Sequence, residues 1–512
     1  MAAVNGVNGT NSKDLWQWKV GLITKDKKYL TAETFGHKIN AAGTTLKKKQ
    51  TWTLEQDLVE DVIYIKSHLN CYMSADKYGN LTCDRTADEL DGSEKFVVEY
   101  SKDETGKWGF RNQLHGNYLG LAQDDNVKCF EKTMGPKQMW DVQLSIHPQV
   151  NLRNVNRKRY AHLCDDEIQV TEIIPWGQDA LIILHFHEGK YSFKTCDNRF
   201  LHRNGTLVSE MDEDTKFSLE VRSGSTSGMC FKDRMGHYLT AVGATATMKG
   251  RNKTVTKDEL FTLADSHPQV VITAHTGKKV SIRQGKDVSA NQTEEEGDKE
   301  VFQLEYHKKM DLWSIRCVDN TLWGLEAVGG IQAGAKELSK NTMFEVQWCG
   351  DGTMTMKAAN GKYLANRQTG HLEAKSDAVS DKEAFYVRIV NRPILILRCE
   401  HGFLGFKSNS SSEYVCNKSV YQVIFLEGTD TGYYHLRGLN GKYWSVTDDS
   451  SIVADSAKPN TRFLLEFRGL SVMTIMASNG CYLKSHQNGL CKAIGKVDEE
   501  TGKLDSSLIW EY

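Results

Sequence analysis

One short pattern recurs along the whole chain: a turn, then a small apolar or aromatic triplet. Lys28-Tyr29-Leu30 returns as Cys71-Tyr72-Met73, Asn117-Tyr118-Leu119, Arg159-Tyr160-Ala161, Arg199-Phe200-Leu201 and His237-Tyr238-Leu239. Lys279-Val280-Ser281 and Thr321-Leu322-Trp323 continue it in altered form. Lys362-Tyr363-Leu364, Gly402-Phe403-Leu404, Lys442-Tyr443-Trp444 and Cys481-Tyr482-Leu483 complete twelve copies. Their mean spacing, about 41 residues, is that of a repeat architecture in which each unit buries its apolar face only against its neighbours.

Turn signals precede the copies, often Asn-Gly as in Asn360-Gly361, Asn440-Gly441 and Asn479-Gly480, the pair that best suits a tight hairpin turn. About 20 residues later comes a strand-like alternation, as in Trp52-Thr53-Leu54-Glu55, Phe96-Val97-Val98-Glu99, Phe217-Ser218-Leu219-Glu220 and Phe463-Leu464-Leu465-Glu466. Period-two alternation between turn residues reads as antiparallel β, and no helical period is sustained.

A longer period lies over the short one. Ser145-Ile146-His147-Pro148-Gln149-Val150 returns as Ser266-His267-Pro268-Gln269-Val270, and Asn391-Arg392-Pro393-Ile394 occupies the third such place. Half of the chain's six prolines mark these joints. Twelve units thus group as four sets of three, which is what a β-trefoil requires: three hairpins close a six-stranded barrel and leave it no open edge. The expected fold is all-β, four tandem β-trefoils of three roughly 40-residue repeats. The expected boundaries are 15–146, 147–266, 267–391 and 392–512, after a disordered tail at 1–14. No Gly/Ser-rich spacer separates the sets, so the lobes are expected to hold fixed relative positions.

Composition narrows the function. The formal net charge of the 512 residues is −2, so an electrostatic partner must be met by a local patch. Met1 to Lys13 lacks the apolar stretch of an export signal, and the apolar run Ala180 to Phe186 is too short to span a bilayer. Twelve cysteines without a CxxC pair predict reduced thiols. A soluble cytoplasmic protein without membrane insertion is expected.

Catalytic signatures for phosphate, zinc or nucleophilic-serine chemistry are missing, and no enzyme, cofactor or metal is expected. His185 and His187 read as one face of a strand. The acidic run from Glu294 to Glu300 reads as a solvated loop without calcium-loop spacing. Gln50-Thr51-Trp52 and Gln138-Met139-Trp140 match the Gln-x-Trp pattern of trefoil lectins, but a tryptophan there also plugs the barrel core.

The basic clusters carry more information. Lys47, Lys48 and Lys49 follow Thr44 and Thr45. Arg157, Lys158 and Arg159 open the second lobe, and Lys249, Arg251, Lys253 and Lys257 crowd one of its loops. Separate basic clusters on a neutral chain suit discrete acidic partners. Without interleaved aromatics they do not suit single-stranded nucleic acid.

Several longer stretches resemble fascin: Lys28-Tyr29-Leu30-Thr31-Ala32-Glu33, Leu46-Lys47-Lys48-Lys49-Gln50 with Trp52-Thr53-Leu54-Glu55, Arg157 to Leu163, Ser289-Ala290-Asn291-Gln292 and the terminal Trp510-Glu511-Tyr512. The resemblance covers nearly the whole chain. It implies a monomeric, four-trefoil cytoplasmic protein of the actin cytoskeleton that cross-links parallel filaments in filopodia-like protrusions. In that family a serine before Leu-Lys-Lys-Lys is phosphorylated by protein kinase C, which suppresses actin binding. Thr45 stands there in this chain. Family actin contacts match Lys28, Lys47, Lys49, Arg283, Lys407 and Lys484, with Arg367 in place of a family lysine and Gln368 in place of its neighbour. Together with the local clusters, the candidate filament-actin contacts are Lys28, Lys47, Lys48, Lys49, Arg157, Lys158, Arg159, Arg283, Arg367, Lys407 and Lys484. The alternative is a trefoil lectin or an acidic-polysaccharide-binding protein.

Overall fold

The computed structural model describes residues 17–57, 59–223, 226–295, 297–498 and 503–512. The tail expected at 1–14 lies outside them. Among the described residues there are 49 strands, seven one-turn 3-10 helices and no α-helix. The strands form four antiparallel sheets of 12, 12, 12 and 13 members. These run within 17–144, 149–265, 269–389 and 394–511.

Each of the twelve triplets meets a strand. Tyr29, Tyr72, Tyr118, Tyr160, Phe200, Tyr238, Tyr363, Tyr443 and Tyr482 are first residues of theirs, as are Lys279, Leu322 and Gly402 in the altered copies. In eleven of the twelve hairpins the register slips just after this position, for example between Tyr118 and Leu119 or between Tyr482 and Leu483. An extra residue on one strand bends and twists the hairpin. Three bent hairpins then meet over each barrel. In the third lobe Val288 N–H donates to Ile331 O (3.1 Å) and Leu372 N–H to Val288 O (3.0 Å), so each hairpin leans on the next.

First and last strands of the lobes pair, as at Val20 with Leu144, Val150 with Asp265 and Val270 with Ile389. That pairing removes the barrel edge. Tryptophan fills the interior. Trp52, Trp140 and Trp510 are fully buried, and their indole N–H groups donate to Leu30 O (2.9 Å), Leu119 O (3.1 Å) and Leu483 O (3.2 Å). Each bond ties the end of a repeat to that repeat's own Tyr-Leu strand.

A polar device recurs beside the tryptophans. Tyr72 hydroxyl donates to Glu55 (2.7 Å), Tyr118 to Glu99 (2.7 Å), Tyr238 to Glu220 (2.8 Å), Tyr443 to Glu427 (3.0 Å) and Tyr482 to Glu466 (2.9 Å). A cation on the same or the next strand neutralises each carboxylate: Lys66, Arg111, Lys232, Arg437 and Arg468 in turn. These networks satisfy polar groups that burial would otherwise penalise. For Glu220, hydrogen bonds from Lys232, Arg222 and Tyr238 hold the carboxyl below the usual range against the opposing effect of burial.

The chain divides into two compact units, one essentially 1–265 and the other 266–512. Within each, one continuous apolar core joins two lobes, and the joint uses the same side chains twice. In the first unit Tyr191 hydroxyl accepts from Leu144 N–H (2.7 Å) and donates to Val142 O (2.8 Å), while Trp108 indole donates to Leu219 O (2.9 Å). In the second, Tyr434 accepts from Ile389 N–H (2.8 Å) and donates to Val387 O (3.2 Å), and Trp348 donates to Phe467 O (2.9 Å). Tyr434→Phe keeps the ring but strands two buried backbone groups. It is expected to destabilise the second unit by about 1–3 kcal/mol, read from the urea midpoint of that unit's transition with the β-type circular dichroism spectrum retained.

Candidate functional site

The candidate cations stand on turns and short loops held by the hairpins beneath them. Lys28 closes the turn that follows the first strand, where Lys28 O accepts from Thr24 N–H (2.8 Å). Its ammonium pairs with Asp125 at 2.6 Å. Thr44 and Thr45 form the bend after the strand Ile39–Gly43, and Lys48–Gln50 is a single 3-10 turn capped by Lys47. All three lysines of this cluster are exposed. Lys49 pairs with Glu33 at 2.9 Å, and this bond, with a second from Asn40, lowers the Glu33 carboxyl below its ordinary range. Lys47 and Lys48 make no ion pair among the described residues. Burial, then the charges of Lys48 and Lys49, lower the His68 imidazole, so His68 is neutral at neutral pH and the patch owes its charge to lysine.

Thr45 is half-buried, and among the described residues its hydroxyl makes no hydrogen bond. The bend is instead held by neighbours: Thr51 hydroxyl donates to Lys47 O (3.0 Å), and Gln50 N–H to the same oxygen (2.9 Å).

In the second lobe, Arg157 and Lys158 are exposed and Arg159 is half-buried. Arg157 guanidinium is tied to Ala241 O at 3.1 Å, and Lys158 takes the left-handed conformation at φ 54°. Val155 and Val255 pack on Cys230, Tyr238 and Leu260, and Asn156 donates to Asp258 at 2.6 Å. These contacts bring the loop of Arg157 to Arg159 beside the one carrying Lys253 and Lys257. The two clusters therefore stand on neighbouring loops, with Asp258 at the contact between them. None of their cations, Lys249 and Arg251 included, forms an ion pair among the described residues.

In the second unit Arg367 and Lys407 occupy the same place in their hairpins. Each opens the turn, with Arg367 N–H donating to His371 O (3.0 Å) and Lys407 N–H to Glu413 O (2.8 Å). Their side chains pair within the hairpin, Arg367 with Glu373 (3.0 Å) and Lys407 with Glu413 (2.9 Å). Gln368 is exposed beside Arg367. Lys484 lies directly across its hairpin from Lys492, a neighbour that hairpin register would have disclosed.

Arg283 differs in kind. Its guanidinium bonds both oxygens of Glu300, at 2.5 and 3.1 Å, and Glu300 is fully buried. Nor is the acidic run simply solvated, since Glu295 pairs with Arg388 and with Lys279 (3.6 Å). It supplies counter-charges to the third lobe, a role invisible in a charge run because the partners lie 16 to 93 residues away.

Other motifs resolve toward structure. Gln50 and Gln138 are buried, Gln50 donating to Thr31 hydroxyl (3.0 Å) and Gln138 accepting from Gly135 N–H (3.3 Å). With Trp52 and Trp140 in the core, both Gln-x-Trp motifs face inward. His185 and His187 stack at 6.4 Å, and no group of three metal-ligating side chains occurs among the described residues. No helix there is long and apolar enough to cross a membrane.

Fold and surface define a tandem β-trefoil protein with basic clusters mounted on its turns. The fascin domain model matches residues 26–142, 150–263, 275–387 and 400–502. The chain is 39% identical to Fascin-2 of Bos taurus over 497 residues, covering 96% of this chain and 97% of that one. To Fascin of Strongylocentrotus purpuratus it is 36% identical over 515 residues, covering 97% and 99%. To Fascin-3 of Homo sapiens it is 24% identical over 501 residues, covering 96% and 97%. The chain belongs to the fascin family, a family of actin-bundling proteins.

The different settings of the cations predict different costs of reversal. Arg283→Glu places a like charge against buried Glu300 and is expected to lower the melting temperature by several degrees, equivalent to ~2 kcal/mol or more. Lys47→Glu, on an exposed residue, is expected to change stability by less than about 0.5 kcal/mol. Thermal unfolding followed by circular dichroism separates the two.

Proposed function

We propose that this protein is a monomeric cross-linker of actin filaments that bundles them in parallel through two or more basic surface sites, supporting filopodia-like protrusions. The observation that carries this is the distribution of exposed and half-buried cations in a family member with no net positive charge. Lys28 and Lys47 to Lys49 lie in the first lobe, and Arg157 to Arg159 in the second. Arg367 lies in the third, and Lys407 and Lys484 in the fourth. A cross-linker must hold two filaments at once, so its contacts must be separated and mounted on rigid elements. The turn positions of Lys28, Arg367 and Lys407 and the continuous core within each unit support that requirement.

Actin filaments are acidic, and exposed cations act on them mainly through screened attraction. Lys28, Lys49, Arg367 and Lys407 already have internal carboxylate partners, which orient the ammonium or guanidinium groups and temper their charge. Low-speed co-sedimentation with purified filaments tests the proposal: the protein should pellet filaments at low salt and progressively less as salt rises. Failure to pellet them at any salt would overturn it.

Thr45 is proposed as the regulatory site, acted on by a protein kinase C-like kinase. A phosphate there adds about −1.5 to −2 charges beside three lysines and would pair with Lys47 or Lys48, drawing them from the filament. Because the hydroxyl holds no part of the bend, Thr45→Ala should bundle normally and resist the kinase. Thr45→Glu should bundle less at low salt, with the deficit narrowing as salt rises. An alanine variant as defective as the glutamate variant would show that Thr45 matters to the fold of the bend and not through charge.

A further inference from the structure

A kinase that selects its substrates by an arginine three residues before the acceptor reads that arginine with carboxylates of its own cleft. The arginine must therefore be as free as the hydroxyl. Arginine stands three residues before a serine or threonine at four places in this chain: before Thr206, Ser225, Thr254 and Ser471. Ser225 lies outside the described residues. The structure separates the other three.

Ser471 is buried, its hydroxyl donates to Ser266 O (3.2 Å), and Arg468 is bound to Glu466. Thr206 is exposed, but its hydroxyl donates to Asn204 at 2.8 Å, and Arg203 is half-buried against Asp214 at 2.7 Å. At Thr254 neither obstacle occurs. Arg251, Asn252, Lys253 and Thr254 are exposed in succession. Among the described residues Arg251 forms no ion pair and the Thr254 hydroxyl makes no hydrogen bond. Thr256, two residues on, is already engaged: its hydroxyl donates to Glu259 (2.7 Å) and accepts from Asp258 N–H (3.3 Å), capping the turn Lys257–Glu259.

The bend that carries Thr254 is anchored on both sides. Before it, Asn252 ends the strand Thr247–Asn252 and donates to Glu259 at 2.7 Å. After it, Val255 packs on Cys230, Tyr238 and Leu260. Thr254 can thus be modified without unfastening the loop. Its surroundings are cationic, since Lys249, Arg251, Lys253 and Lys257 face one carboxylate, Asp258, within the same ten residues, a formal charge of +3.

We propose that Thr254 is a phosphorylation site for an arginine-directed kinase, and that the phosphate weakens the hold of the second lobe on acidic filaments. In the reaction the Thr254 oxygen attacks the γ-phosphorus of ATP. The bond from that phosphorus to the oxygen of ADP breaks, and the hydroxyl proton passes to the base of the kinase. The product adds about −1.5 to −2 charges, which removes more than half of the local positive charge. The phosphate also offers oxygens to Arg251 and Lys253 and draws them inward. The effect on filaments rests on the proposed bundling function, whereas the phosphorylation itself does not.

Mass-spectrometric mapping of the full-length protein after incubation with Mg-ATP and calcium/calmodulin-dependent protein kinase II, an arginine-directed enzyme, tests the site. Phosphate is expected on the peptide of Thr254. Thr254→Ala should lose that phosphopeptide and keep its melting temperature. Arg251→Ala, with the acceptor intact, should be modified there about tenfold more slowly or worse, the loss of one charge-assisted contact to the kinase. The site is overturned if Thr254 stays unmodified while a standard peptide substrate is phosphorylated in the same tube. It is equally overturned if the phosphate sits on Thr256 in its place, or if Arg251→Ala is modified as fast as the unaltered protein. For the regulation, kinase-treated protein should pellet fewer filaments at low speed and low salt than Thr254→Ala treated in parallel, with the gap narrowing as salt rises. Equal pelleting by the two overturns the regulatory half. A chain that pellets no filaments before treatment overturns the bundling function and this regulation with it, while the mapping result still decides the site.

Discussion

Each barrel depends on its first strand finding its last. Val20 meets Leu144, and Val270 meets Ile389, across more than a hundred residues. Such non-local pairing is entropically costly to reach. The repeats lower that cost by making each intervening unit a self-contained hairpin. The slip after the tyrosine bends the hairpin, and in the repeats ending at Trp52, Trp140 and Trp510 the indole bond back to the Tyr-Leu strand closes the repeat upon itself. Three bent hairpins bring the ends together, and the pairing then seals the sheet.

Once the barrels are closed, their turns become fixed mounts for charge. The basic residues split into three physical groups. Arg283 belongs largely to the fold, since it neutralises buried Glu300. Lys28, Lys49, Arg367 and Lys407 are exposed but pre-oriented by single carboxylates. Lys47, Lys48 and, in the second lobe, Arg157, Lys158 and Arg159 form no ion pair with a carboxylate among the described residues. A resemblance transfers residue names evenly across these groups. The geometry separates them by what each reversal would cost the fold.

Much of this was legible in the sequence because it is periodic. The tyrosine triplets begin strands, the alternating segments ending in glutamate are strands of their own, and the 120-residue grouping coincides with four sheets. The Gln-x-Trp motif was ambiguous on paper, since a lectin site and a barrel plug use the same letters. Burial of Gln50, Trp52, Gln138 and Trp140 decides it for the plug. Features that bind one lobe to another were not legible. Tyr191 and Tyr434 serve the same joint, but each occurs once per pair of lobes and breaks no local rule. Ion partners such as Glu300 for Arg283, on the 3-10 turn after its hairpin, or Asp125 for Lys28, on another hairpin, follow no motif, and no spacing announces them. The adjacency of the loops carrying Arg157 to Arg159 and Lys253 was likewise hidden, because the small cluster of Val155, Val255, Cys230, Tyr238 and Leu260 that joins them is scattered along the chain.

The central claim is that filament contacts are separate and that bundling needs more than one of them at once. Parallel high-speed and low-speed sedimentation of the Lys47→Glu, Lys49→Glu double variant tests it most directly, the first reporting binding to single filaments and the second reporting bundles. Separate sites predict that the variant still co-pellets with filaments at high speed while its low-speed bundling is strongly reduced. Binding and bundling that fall in equal proportion, or bundling that survives intact at low salt, would contradict it.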